Sequence, residues 1–280
     1  MTDSAITFHG GIAYANHDGV ELLGDLYVPK SAKPAPALVA VHGGGWVAGA
    51  RSTFQYWGPF LAAHGIALFA ISYRLAIKSG AFPQAVRDVL TGVQFVRGKA
   101  SAFGIDPARI GLLGASAGAH LAALAALGRE TFAGGYPHDP FAAVDPSVKA
   151  LVGVYGIYDA VAMWNAYQVQ GGRDNNIGKF IGIPPMENRR IYFEASPISY
   201  ATYAHNAIGV LLVTGTEDDL VDRKTQTDPF QLALKQAGFF VRPCIVPGAP
   251  HYWMSDPIDE PGSFSGFLAP RLLRFLAERL

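Results

Sequence analysis

The chain is poor in several things, and each shortage excludes something. It holds a single cysteine, Cys244, in 280 residues. One thiol closes no internal disulfide and builds no cysteine metal site, so the fold must rest on its core. Charge is scarce as well: only 16% of residues are Asp, Glu, Lys or Arg, with 22 basic against 22 acidic. That balance gives no electrostatic footprint for nucleic acid and no lure for anionic substrates. No apolar run is long enough to span a bilayer, and residues 1–10 have neither the basic start nor the apolar stretch of a secretory leader. The expectation is a cytoplasmic protein acting on a small molecule, monomeric or homodimeric, with no nucleic-acid or membrane partner. What the chain does have is apolar and small residues: half are hydrophobic, and 32 are glycine. That composition and length suit one α/β domain over residues 1–280.

Apolar runs alternate with helical stretches, the α/β pattern. Strands are expected at 6–14 and 20–28, joined by a turn at Asn16-His17-Asp18-Gly19. A Pro/Ala linker over 29–36 leads to a strand at 37–41. A helix at 54–64, a strand at 66–71 and a helix from Pro83 to about Phe103 follow. Asp106-Pro107 reads as a turn into a strand at 109–113. Later strands are expected at 150–155, 210–214 and 241–246, the last holding Cys244 as a buried thiol. Residues 131–147 read as a polar loop. A final helix over 264–280 shows a packed face at Phe267, Leu268, Leu272, Phe275 and Leu276.

Two glycine motifs sit at strand ends. Gly114-Ala115-Ser116-Ala117-Gly118 follows an apolar run and opens a small-residue helix, which is the context of a nucleophile elbow. The helix N-terminus then faces the serine, where negative charge develops in acyl transfer. His42-Gly43-Gly44-Gly45-Trp46 follows the strand ending at Val41. Three consecutive glycines are entropically costly and make sense where backbone N–H groups approach a ligand. The expected oxyanion hole is therefore the N–H of Ala117 with those of Gly43 and Gly44. His42 precedes the serine and is expected to pin its loop by hydrogen bonding rather than to act as the base.

Together HGGGW and GASAG resemble the α/β-hydrolase superfamily, in particular the hormone-sensitive-lipase-like esterases. They also resemble the shorter kynurenine-formamidase-like and acetyl-xylan or feruloyl-esterase-like enzymes. Ser72-Tyr73-Arg74-Leu75, Phe82-Pro83 with Asp88, and Gly104-Ile105-Asp106-Pro107 are further matches. The likeness runs from about residue 20 to residue 280. It implies the α/β-hydrolase fold, a mostly parallel eight-stranded sheet flanked by helices, and an ester or amide hydrolase. It names no substrate.

In that superfamily the order is nucleophile, acid, base. Four carboxylates crowd the segment Glu217-Asp218-Asp219-Leu220-Val221-Asp222 after a β-branched run. The family pattern favours Asp218 as the acid, with Asp219 and Asp222 as alternatives. His251, in Pro247-Gly248-Ala249-Pro250-His251-Tyr252-Trp253, stands where the base belongs. His120 is a weaker rival, four residues beyond Ser116 on the same helix. His9, His17, His64, His138 and His205 read as surface or packing residues. Ser116, His251 and Asp218 make a triad that needs no cofactor and no metal.

Residues 156–207 form a long, aromatic-rich interval between two core strands, expected as a small cap above the strand ends. Trp46, Tyr158, Trp164, Tyr252 and Trp253 are the expected pocket aromatics. The leading function is a serine carboxylesterase for short-chain or aryl esters. The alternatives are an arylformamidase or other amide or carbamate hydrolase with the same triad, and a non-catalytic binding protein on this fold.

Overall fold

A computed structural model describes residues 5–78, 80–169, 171 and 175–280. Residues 1–4 of the N-terminal stretch, 79, and residues 170 and 172–174 of the expected cap lie outside the described residues. The chain opens with β1 (Ile6–His17) and β2 (Val20–Pro29), joined at Asp18-Gly19, where both residues have positive φ. There follow β3 (Ala35–Val41), α1 (Trp57–Ala63), β4 (Ala67–Ile71), α2 (Gln84–Gly98), α3 (Ala100–Phe103) and β5 (Ile105–Ala115). Next come α4 (Ala117–Leu127), α5 (Arg129–Phe132), β6 (Ala150–Val154), α6 (Ala160–Val169), α7 (Asn176–Ile181) and α8 (Arg189–Glu194). The chain closes with β7 (Gly209–Gly215), α9 (Thr227–Gln236), β8 (Val241–Val246) and α10 (Phe264–Arg279).

The eight strands form one sheet in the order β1-β2-β4-β3-β5-β6-β7-β8. Only β2 runs against its neighbours; β4 through β8 are parallel. This is the α/β-hydrolase fold. The uncharged runs at β3, β4, β6 and β7 are nearly wholly buried, as a sheet covered on both faces requires. Along β3, Leu38 and Ala40 face a layer containing Trp57 and Leu61 of α1 and Leu268 and Leu272 of α10. Val39 and Val41 face the opposite layer, with Val89 of α2, Leu121 of α4 and Phe230 of α9. The period of two in the strand thus sorts neighbouring side chains into two cores.

Three local expectations change. Strand β3 starts at Ala35, two residues inside the expected linker. The helix expected from Pro83 to Phe103 is two helices, α2 and α3, meeting at Lys99. The Phe141 ring packs so close to Gly98 that a Cβ there would lie 2.1 Å from it. Asp106-Pro107 lies within β5 at a register shift, where Asp106 accepts from Ala108 N–H and Arg109 Nε. Cys244 is free and buried, and burial pushes its thiol pKa up. Among the described residues no helix is long and apolar enough to cross a membrane.

The topology fixes where a site can form. From β3 the chain steps to β4 on one side and then crosses to β5 on the other. Loops leaving β3 and β5 therefore diverge at a topological switch point, the crevice where open α/β sheets bind ligands. Val41 pairs with Gly114, so both glycine motifs emerge there side by side.

Candidate active site

Ser116 stands between β5 and α4 with φ 55° and ψ −121°, a conformation that costs a non-glycine residue about 1–3 kcal/mol. The glycines on either side allow it. A Cβ at Gly114 would lie 2.3 Å from Gly118 O, and one at Gly118 would lie 2.0 Å from Val41 O. Strand and helix approach too closely there for any side chain. A Cβ at Gly43 would lie 3.1 Å from the Ser116 Cβ, so the glycine loop sits directly against the elbow. Among the described residues, the N–H groups of Gly43, Gly44 and Ala117 have no intramolecular acceptor. They are free to point at an oxyanion.

The loop after β8 brings His251 to the serine. Its Nε2 lies 2.9 Å from Ser116 Oγ, and its Nδ1 lies 2.8 Å from Asp218 Oδ2. An ionised carboxylate can only accept, so Nδ1 carries the proton and Nε2 accepts from the serine hydroxyl. Asp218 Oδ1 accepts the N–H groups of Leu220 (3.0 Å) and Val221 (2.9 Å), which fixes the carboxylate. Of the alternatives, Asp219 is exposed, and Asp222 is exposed and accepts Lys224 N–H. The three side chains form one continuous hydrogen-bonded line, nearly buried at every member.

His42 does not join that line. Its Nδ1 donates to Gly43 O at 2.7 Å, its ring stacks on Tyr73, and Tyr73 Oη donates to His42 O. Burial lowers its pKa against the opposing hydrogen bond to Gly43, so it holds the loop as a neutral ring. His120 also lies off the line. It is wholly buried, with Nδ1 3.2 Å from Trp46 Nε1 and Nε2 2.7 Å from Ala195 O.

The cleft at Ser116 holds about 170 Å³ and is lined by glycines 43, 44 and 49 with Thr53, Ala115, Tyr155, Tyr252 and Ser255. Tyr252 is the one expected pocket aromatic on its wall. The other four do not line it. Trp46 is buried under Phe180, and Tyr158 is buried on Phe230. Trp253 is buried beside Tyr155 in the α10 layer, and Trp164 packs edge-on to Tyr192 within 156–207. Large rings gain most by full burial, and a thick two-layer core offered them that. The interval 156–207 contributes no described residue to the cleft wall. It buttresses the glycine loop from behind: Phe180 stacks on Trp46, and Asn176 sits against Gly45.

Sequence reasoning missed Tyr155. Its ring lies 4.4 Å from that of His251, and its hydroxyl accepts Met254 N–H at 3.2 Å. It is the first residue after β6, and the end of a parallel strand beside the switch point was the available signal. Strain was also invisible. Five described non-glycine residues have positive φ, and four of them, Trp46, Ser116, Tyr155 and Tyr252, surround this site.

With the geometry in place, comparison with known proteins adds kinship. A family described as BD-FAE matches residues 24–234. A probable isoprenylcysteine alpha-carbonyl methylesterase of Oryza sativa subsp. japonica is 30% identical, over 84% of this chain and 56% of its own length. Esterase LipC of Mycobacterium tuberculosis is 33% identical, over 68% of this chain and 46% of its own. The chain thus spans about half the length of these curated relatives. Among solved structures, a truncated carbohydrate esterase from gut microbiota superposes with TM-score 0.79 at 24% identity, covering 99% of this chain and 98% of that one. Butyrate-bound esterase Est2 of Thermogutta terrifontis gives 0.76 at 22% identity, covering 96% and 93%. At that identity the likeness speaks of the fold.

Proposed function

This chain belongs to the BD-FAE family, and from that premise we propose that it is a serine carboxylesterase acting on short-chain or aryl carboxylic esters. The observation that carries the reading is the unbroken line Ser116 Oγ, His251 Nε2, His251 Nδ1, Asp218 Oδ2, with links of 2.9 and 2.8 Å. The relatives' names, esterase and carboxylic ester hydrolase among them, support the same reaction class.

The chemistry follows from the parts. His251 Nε2 takes the Ser116 proton as Oγ attacks the ester carbonyl. Asp218 holds the tautomer and stabilises the imidazolium. The N–H groups of Ala117, Gly43 and Gly44 receive the oxyanion, each such donor being worth about 10²–10³ in rate. Collapse expels the alcohol, which leaves with the proton from His251, and Ser116 keeps the acyl group. Water, deprotonated by the same imidazole, then releases the acid. The cleft of about 170 Å³ is below the range of roughly 300–1,000 Å³ usual for sites that enclose drug-sized ligands. That volume suits a short acyl chain or the edge of a planar ring.

A panel of p-nitrophenyl esters from acetate to octanoate, an aryl ester and N-formylkynurenine tests the reading. The expectation is turnover highest on acetate to butyrate and lost in Ser116→Ala. Preference for the formamide would move the assignment to an amide hydrolase, and full turnover by Ser116→Ala would remove the serine from the mechanism.

A further inference from the structure

His120 is wholly buried and takes no part in the line from Ser116 to Asp218, yet it touches three separate pieces of the protein. It stands on α4, four residues beyond the serine. Its Nδ1 faces Trp46 Nε1 of the glycine loop at 3.2 Å, and its Nε2 faces Ala195 O, just past α8, at 2.7 Å. An indole nitrogen can only donate, so Nδ1 is an unprotonated acceptor and Nε2 carries the proton given to Ala195 O. One neutral tautomer satisfies both contacts. Phe180 closes the site, stacking on Trp46 at 5.1 Å and meeting His120 edge-on at 5.6 Å.

The glycine loop needs such an anchor. Gly44, Gly45 and Trp46 have φ of 115°, 58° and 62°, three successive residues in the left-handed region. Two glycines hold that shape at little steric cost, but Trp46 does not. Its side chain must be tied down for the loop to keep this form, and the tie runs to the helix whose first N–H belongs to Ala117.

We propose that His120 is a positioning residue that sets the spacing between the two halves of the oxyanion hole, through its hydrogen bond to Trp46. The inference rests on the esterase reading above and deepens it. The bond to Ala195 holds the imidazole in the tautomer that accepts from Trp46. Loosening the bond to Trp46 lets the Gly43 and Gly44 donors drift from Ala117, which weakens transition-state binding more than substrate binding.

The test separates the two ring nitrogens. Asn places an acceptor where Nδ1 was, whereas Gln places a donor where Nε2 was. His120→Gln and Trp46→Phe are expected to lower kcat on p-nitrophenyl acetate about 10- to 100-fold with KM little changed, and His120→Asn to stay within about threefold of the parent. Wild-type kcat retained by Trp46→Phe, or equal loss in His120→Asn and His120→Gln, would overturn the proposal. A second readout is independent of turnover: the indole N–H resonance of Trp46, one of four tryptophans, assigned through Trp46→Phe. It should move upfield in His120→Gln and hold in His120→Asn, and an unmoved resonance in both would also overturn the proposal. Failure of the esterase reading would appear differently, as an inactive parent or an active Ser116→Ala.

Discussion

Asp218 differs from its neighbours in what it accepts. Both of its oxygens are engaged, one by two backbone N–H groups and the other by His251, whereas Asp219 is exposed and Asp222 binds Lys224 N–H. Asp218→Asn should lower kcat about 10⁴-fold, since an amide can present its NH₂ to Nδ1 and force the wrong tautomer. Asp219→Asn and Asp222→Asn should leave kcat within about twofold, because neither meets the imidazole. Steady-state rates of the three variants on one ester check this. Spacing alone ranked these carboxylates only by family pattern, since four acids in six residues differ in which way they turn, and that is set by the turn at 218–221. His251 was legible for the opposite reason: no other histidine follows His205.

At the scale of elements, the elbow was legible because its constraint is local. Gly114 and Gly118 are demanded by the approach of β5, α4 and β3, and that demand leaves a mark in five consecutive residues. Gly118→Ala should destabilise the protein by about 3 kcal/mol, because the atom it would strike is the Val41 carbonyl, which cannot swing away. Urea unfolding of parent and variant measures the difference. The aromatic residues were not legible in the same way. Trp46 and Trp253 stand next to motif residues in sequence, but each turns its ring into a core layer, and the sequence carries no mark of which face a loop aromatic takes. The same holds for α6 to α8: their aromatic content suggested a roof over the cleft, while Phe180 of α7 stacks on Trp46 of the glycine loop and Trp164 of α6 packs on Tyr192 of α8.

For the molecule as a whole, a buried ionic cluster ties the β1–β2 turn to α2 and to the loop over 131–147. Asp88 is wholly buried and accepts from Arg74 Nε and Nη2 and from Arg74 N–H. His17 lies between two carboxylates, with Nδ1 2.8 Å from Asp88 and Nε2 2.7 Å from Asp139, and its ring stacks on Tyr136. Nothing local to His17 singles it out, because its partners lie 71 and 122 residues away. Burial alone would depress its pKa, but the hydrogen bonds and charges of Asp88 and Asp139 outweigh burial and raise it above the usual 6.5. A folded-state pKa above the unfolded value means this stabilisation is complete below pH 6.5 and is lost as pH rises through the raised value. The melting temperature should therefore fall as pH climbs above 6.5, and His17→Gln should flatten that slope; calorimetry across the range decides, and parallel curves would remove His17 from the account. The central claim is that the fold gathers Ser116, His251 and Asp218 into one acyl-transfer centre. Labelling with a p-nitrophenyl alkylphosphonate, followed by peptide mass spectrometry, tests it most directly. The account predicts one adduct per chain, on Ser116, formed with loss of activity and abolished in His251→Ala; an adduct on another residue, or a fully labelled protein that still turns over ester, would contradict it.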